Sequence, residues 1–490
     1  MDKISTAGLK FVDEFGRERI FSGFNIVDKQ NYGEGKEKYA FNINEDFFAK
    51  YKARGFNIIR LGFSWDPIEP NPEQYNEALL DDIERIVDEC NKHGIYVFLD
   101  VHQDCYSTHC HDAGNGAPLW ASLMDNYKQT KTKFVWAEGY FISKSVHRAF
   151  DNFWTNKEFQ GRGIQDRYAD LWVHLVERFK DKPNLFGFDF LNEPFPGKSG
   201  GKLFKKLISN VVKVTLTDKR IKKWQLIKDG LSKDRKIQVL DQYTADVFTK
   251  IVMAGDKIIE EFDTQRYSPF LNRMAEAVRK VTDNGILFVD NCYYSNLGIP
   301  CHNLPIEVEG KRESKQCFSP HGYDLMVDTP AYKYANNGRV GALFAEHRRT
   351  QERLGVPCLV GEWGGNAEGT EWFPHVEFLL DTFAGYKWSS TYWTYYEGIL
   401  DMPLLDVLGR PYPKAVTGDI VEYVHNREEN TFTLKYNQEK EFEVPTVIFA
   451  HKDVKSVNVD GAEQKDLLVK AGQDIELKTA PGKHEVVVYF

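Results

Sequence analysis

Apolar residues along this chain gather into short runs, and between the runs they recur every three or four positions. The runs fall at 20–26, 56–63, 95–101, 185–191, 286–290, 316–321, 358–361 and 390–394. Each reads as a buried strand. The intervening stretches read as amphipathic helices, as at 45–54 and 77–93, where Leu80, Ile83, Ile86, Val87 and Cys90 share one face and Gly94 supplies the C-terminal stop. Eight alternating strand–helix units predict an α/β chain folded as a (β/α)8 TIM barrel over residues 1–415, with a hairpin in the first twenty residues plugging its floor. Beyond about residue 415 the texture changes to short strand candidates, at 431–436, 442–444, 446–450, 454–459, 467–469, 474–477 and 484–490. That spacing predicts a small antiparallel β-sandwich at 416–490.

Two stretches interrupt the alternation. Residues 103–160 follow the third strand and are rich in His, Cys and aromatic residues. Residues 197–236 follow the fourth and carry 13 Lys and Arg against 3 Asp, while the whole chain is at −9. Leu203, Phe204, Leu207, Ile208, Val211, Val212 and Trp224 interleave with those charges. Such a segment reads either as a solvated helix balancing an acidic body or as an element that rests on an anionic lipid surface. The overall acidity argues against nucleic acid as a partner. Seven cysteines show no paired spacing, so one or two disulfides in the loops stay open. The N-terminal MDKISTAGLKF lacks a signal-peptide core, and no window is long and apolar enough to span a membrane.

Chemistry concentrates at the ends of the runs. The fourth strand ends in Asn192-Glu193-Pro194, and the seventh, VPCLV, ends in Gly361-Glu362. Two carboxylic acids at the C-terminal mouth of a barrel are what glycosidic cleavage requires: one protonates the leaving oxygen, and the other captures or stabilises the sugar carbon. Asn192 beside Glu193 suits a sugar hydroxyl, which makes Glu193 the acid/base and Glu362 the nucleophile, with Arg60 of NIIRLGF as the cation that keeps Glu362 ionised. His102, His321, Tyr323 and Trp393 lie at other strand ends of the same mouth, Tyr323 to hydrogen-bond the nucleophile and Trp393 to floor the sugar. The cluster His102, Cys105, His109, Cys110, His111 and Asp112 has no compact zinc spacing, so no metal is expected.

NIIRLGF, VHQD, LNEP, HGYD, GEWG and the eighth-strand Trp together resemble glycoside hydrolase family 5. GFNIVDK, LDVHQDCYS, GNGAPLWA, AFDNFW and FDFLNEPFPG resemble the endoglycoceramidases in particular. The resemblance implies a retaining, cofactor-free hydrolase that cuts the β-bond between oligosaccharide and ceramide in glycosphingolipids. It further implies that Lys29, His102, Asp104, Trp136, Asn192, Tyr323 and Trp393 line the sugar site, Trp136 being aligned across a one-residue gap. A secreted or membrane-peripheral monomer is expected. Relatives restricted to galactosylceramide-linked glycans or glucosylceramide, and polysaccharide-cleaving endoglucanases or mannanases, share both glutamates and remain alternatives.

Overall fold

A computed structural model describes the 490 residues except 30–35, 134, 233, 234, 236 and 328. Phe134 of the aromatic segment and Lys233, Asp234 and Lys236 of the basic segment therefore lie outside the described residues. Eight parallel strands form the barrel: β1 (Ser22–Asp28), β2 (Ile58–Ser64), β3 (Tyr96–His102), β4 (Leu185–Asp189), β5 (Ile286–Asp290), β6 (Gln316–Ser319), β7 (Leu359–Val360) and β8 (Ser389–Tyr392). They pair in the order β6-β5-β4-β3-β2-β1-β8-β7, and a parallel bridge between Phe318 and Cys358 closes β6 onto β7. All eight sequence-predicted strands are present, displaced by at most a few residues.

Period-two alternation sets what each strand delivers. On β2, Ile59, Leu61 and Phe63 pack outward into the helix-lined core, whereas Ile58 packs into the barrel floor. Arg60, two residues above Ile58, therefore points into the barrel, where it meets acids from neighbouring strands. The floor is aromatic: Phe11, Phe21, Phe98, Phe186 and Phe288 cluster there, and Phe98 stacks on Phe288 at 4.4 Å. One layer higher stand Asp100 on β3, Asp189 on β4 and Asp290 on β5. Gly62 leaves room for this layer, since a Cβ there would lie 2.7 Å from an oxygen of Asp100.

The helix Glu77–Lys92 buries Leu79, Leu80, Ile83, Ile86, Val87 and Cys90, the face read from the sequence. Asn76 caps it by accepting from the Leu79 N–H. The C-terminal region is an antiparallel two-sheet unit. Five strands, including Asp419–Asn426 and Thr431–Gln438, form one sheet; Pro413–Val416, Thr446–Ala450 and Gln473–Leu477 contribute to the other. Two strand predictions fail here: 442–444 is irregular, and 467–469 begins in a 3-10 turn at Lys465–Leu467 and continues without regular structure. A strand at Asp419–Asn426 was not anticipated. The predicted N-terminal hairpin forms at Ile4–Ala7 and Lys10–Asp13, and Glu18–Arg19 joins it to Pro413–Val416 of the second sheet. It thus belongs to the C-terminal sheet while Phe11 still packs into the barrel floor. The seven cysteines are all buried, unbonded thiols.

Candidate active site

The C-terminal ends of the strands converge on a small polar volume. Arg60, with no exposed surface, is its hub. Its guanidinium donates to Asp189 (3.0 and 2.8 Å), Glu362 (2.7 Å), Asn192 (2.9 Å) and Asn25 (3.1 Å), and lies 3.1 Å from Asp100. One guanidinium cannot neutralise so many buried acids. Burial pushes the Asp189 carboxyl up to about 6 against the pull of Arg60, and pushes that of Asp290 well above the usual range, with Asp189 adding to it. Asp100 is held low: burial opposes ionisation there, but Arg60 and His102 outweigh it.

Glu362 follows β7 and pairs in parallel register with His321, while Gly364 bridges Trp393. Its Oε1 accepts from Arg60, and its Oε2 accepts from the Tyr323 hydroxyl at 3.0 Å. Glu193 follows β4 with φ of +43°, a conformation that non-glycine residues rarely adopt. Three contacts hold it there. Its N–H donates to Asp290 Oδ2 at 2.9 Å, and Gln103 Nε2 donates to the carbonyls of Asn192 (2.8 Å) and Glu193 (3.1 Å). The Glu193 Oε1 accepts from Asn296 Nδ2 at 2.5 Å and lies 3.0 Å from His321 Nδ1. Among the described residues no group engages Oε2.

The two carboxyls are thus placed in opposite settings. Glu362 sits on a buried cation. Among the described residues Glu193 makes no direct ion pair with a cation, and burial together with the Asp104 charge pushes its carboxyl up to about 7 against the pull of Asn296, His102 and Lys29. One oxygen of each, together with a nitrogen of His321, fall within 4.8 Å of one another. Burial drives His321 down to about 3, so it bridges the acids as a neutral imidazole. His102 behaves oppositely: burial opposes its charge, but Asp100 at 2.8 Å raises it to about 9.

The remaining sequence-predicted residues form one wall. The Lys29 ammonium donates to Asp104 at 2.7 Å and sits 4.2 Å above the Trp393 ring, while His102 stacks on that ring at 5.4 Å. Asn115 donates to the same Asp104 oxygen at 2.7 Å. Beyond them opens a cavity of about 430 Å³ lined by Lys29, Asp104, Thr108, Asp112, Asn115 and Trp136, among others. All eleven candidate residues therefore surround one mouth. Asn25, Asp100, Gln103, Asp189, Asp290 and Asn296 were missed. The three aspartates had a signal, since each sits at the end of an apolar run (YVFLD, LFGFD, ILFVD) where a bare carboxylate would be costly. Asn296 lies in a 3-10 turn and carries no periodic signal. In the His/Cys stretch after β3, Cys105 and Cys110 are core residues, and the His111 Nδ1 meets Thr130 Oγ1 at 2.9 Å. Among the described residues, no three side chains of that stretch converge as a metal site.

Residues 12–398 match the family described as Cellulase (glycosyl hydrolase family 5), and residues 410–488 match the Glycoside hydrolase family 5 C-terminal domain. The chain is 32% identical to endoglycoceramidase I of Rhodococcus hoagii over 472 residues, covering 93% of this chain and 82% of that relative. It is also 32% identical over 210 residues to the endoglycoceramidase of Hydra vulgaris, a match spanning 38% of this chain and 39% of the relative's length. The solved structure of endo-glycoceramidase II from Rhodococcus sp. in complex with ganglioside GM3 superposes with a TM-score of 0.74 at 22% identity, covering 99% of each chain. That likeness shows the shared fold.

Proposed function

The chain belongs to glycoside hydrolase family 5, and from that premise we propose that it cleaves the β-glycosidic bond between oligosaccharide and ceramide in glycosphingolipids, with retention of configuration. The observation that carries this reading is the pair of close carboxyls, one raised by burial and the other held against the Arg60 guanidinium. With one oxygen of each carboxyl within 4.8 Å of the other, no room is left for a water between the second carboxylate and the sugar carbon, so that carboxylate attacks directly. Glu193 delivers its proton from the unengaged Oε2 to the glycosidic oxygen, while Asn296 and His321 steady Oε1. Glu362, charged against Arg60 and oriented by Tyr323, attacks the anomeric carbon and forms a glycosyl-enzyme. Ionised Glu193 then takes a proton from water, which releases the glycan. Asn192 Nδ2 donates to the Gln103 carbonyl (3.0 Å) and lies 3.4 Å from His102 Nε2, a long contact that the sugar 2-hydroxyl replaces on binding. Trp393, Lys29, Asp104 and Trp136 hold the glycan. The ceramide meets the apolar rim beside Tyr293, where Phe141 packs on Phe204 and Ile142 is exposed.

A mixture of glycosphingolipids and a cello-oligosaccharide, incubated with the enzyme and resolved by mass spectrometry, tests the substrate class. Intact glycans plus free ceramide support the reading. Shortened cello-oligosaccharides beside untouched lipids would replace it with an endoglucanase.

Two further outcomes follow from the geometry. Because Glu193 must enter the first step protonated and its carboxyl is raised to about 7, kcat/KM on a glycolipid in detergent stays high below that pH. It then falls about tenfold per unit above it. A profile flat through pH 9 would remove Glu193 as the acid. Tyr323→Phe deletes one hydrogen bond to the Glu362 carboxylate without creating a cavity, and lowers kcat/KM by about 10- to 100-fold at unchanged thermal stability.

A further inference from the structure

The insertion after β4 folds as two helices, α1 (Lys198–Thr217) and α2 (Lys223–Leu231). On α1, Leu203, Leu207 and Val214 are buried, and Phe204 stacks on Phe141 at 4.6 Å. That face seats the helix on the barrel. A second apolar line remains outside. Ile208, Val212 and Leu216 recur every four residues along α1, and Trp224, Ile227 and Leu231 fall on one face of α2. These six side chains are between 52 and 81% exposed. Lys205, Lys206, Lys213, Lys222, Lys223 and Lys228 accompany them, and among the described residues none has a carboxylate partner. The described acids of this segment are already engaged, Asp218 by Arg220 and Lys250 and Asp229 by Arg235.

We propose that α1 and α2 form a docking element for a lipid bilayer bearing anionic headgroups. The apolar line enters the boundary between headgroups and acyl chains, and the lysines lie over the phosphates. Charge complementarity favours a bilayer over a second copy of this chain, because two such faces would press unpaired lysines together, while the chain as a whole is at −9. Placement supports the same occupant. α1 begins five residues after Glu193, and its Phe204 contacts Phe141, which neighbours Tyr293 at 6.2 Å in the turn that carries Asn296. Docking on this face brings the ceramide side of the mouth to the membrane. The catalytic consequence rests on the glycosphingolipid reading; the binding itself does not.

The test is flotation of the full chain with phosphatidylcholine vesicles, with and without phosphatidylserine and free of glycolipid. Activity is measured in parallel on lactosylceramide in anionic vesicles, on lactosylceramide in detergent, and on a soluble aryl β-lactoside. The wild type floats with anionic vesicles and is released by salt. Trp224→Ser with Leu231→Ser, and separately Lys222→Glu with Lys223→Glu, each weaken partitioning about tenfold or more. They lower turnover in vesicles similarly and leave the aryl glycoside rate unchanged. All four positions are exposed, so circular dichroism melting stays at the wild-type value. Absence of wild-type binding, equal binding by the variants, or a concentration-dependent dimer that Trp224→Ser dissociates would overturn the proposal. Binding to anionic vesicles with no cleavage of glycolipid in detergent would instead remove the substrate reading and leave the docking face standing.

Discussion

Glu362→Gln lowers turnover of a glycosphingolipid by about 10⁴-fold or more, with binding retained. The amide oxygen can still accept from Arg60 while its nitrogen donates to the Tyr323 oxygen, so the fold is kept, but the amide has no charge with which to attack the anomeric carbon. Glu193→Gln fails differently. Its loss is large on ceramide, whose departing alkoxide needs a proton, and small in the first step for a dinitrophenyl glycoside, whose leaving group needs none. Glycosyl-enzyme then accumulates on Glu362 in this variant, and azide restores turnover by attacking it without a general base. Equal losses for the two variants on both substrates would contradict the division of roles. Rates measured on the two leaving groups, with and without azide, decide it.

The largest effect on stability belongs to Arg60. Arg60→Met removes the guanidinium that lies 2.7–3.1 Å from Glu362, Asp189 and Asp100 together. Breaking such a buried set costs about 3–5 kcal/mol. The sign of the pH dependence follows from Asp100, whose carboxyl is held below its ordinary value once Arg60 and His102 outweigh burial. Its ionised form stabilises the native protein above the unfolded-state value, and that contribution fades as pH falls toward the lowered one. The gap between wild type and Arg60→Met is therefore widest near neutrality and narrows in acid. Thermal melts across that range check it, and a gap that widened in acid would contradict the ion-pair account. Arg60→Lys keeps the charge but cannot reach Asp189 twice together with Asn25, Asn192 and Glu362. It recovers part of the stability and little of the activity.

The barrel was legible because its strands are buried on both faces and read as continuous apolar runs, and both glutamates stand where such runs stop. Legibility failed where local pattern and tertiary role part company. Asp419–Asn426 escaped because a bulge between Ile420 and Glu422 breaks the period of two just where Ile420 and Tyr423 turn inward. In the basic insertion the sequence marks an amphipathic helix with two apolar lines and cannot say which one faces the barrel. The structure gives Leu203 and Leu207 to the core and leaves Ile208 and Val212 outside. Asn296, the partner that steadies the acid, comes from the turn after β5, and only the pairing of β5 with β4, distant in sequence, brings it to Glu193.

The most direct test of the central claim is proton NMR of the first products released from lactosylceramide in detergent. The account predicts ceramide and intact lactose appearing first as the β anomer, with the α anomer growing in by mutarotation. Lactose appearing first as the α anomer, or free galactose with glucosylceramide left behind, would contradict it.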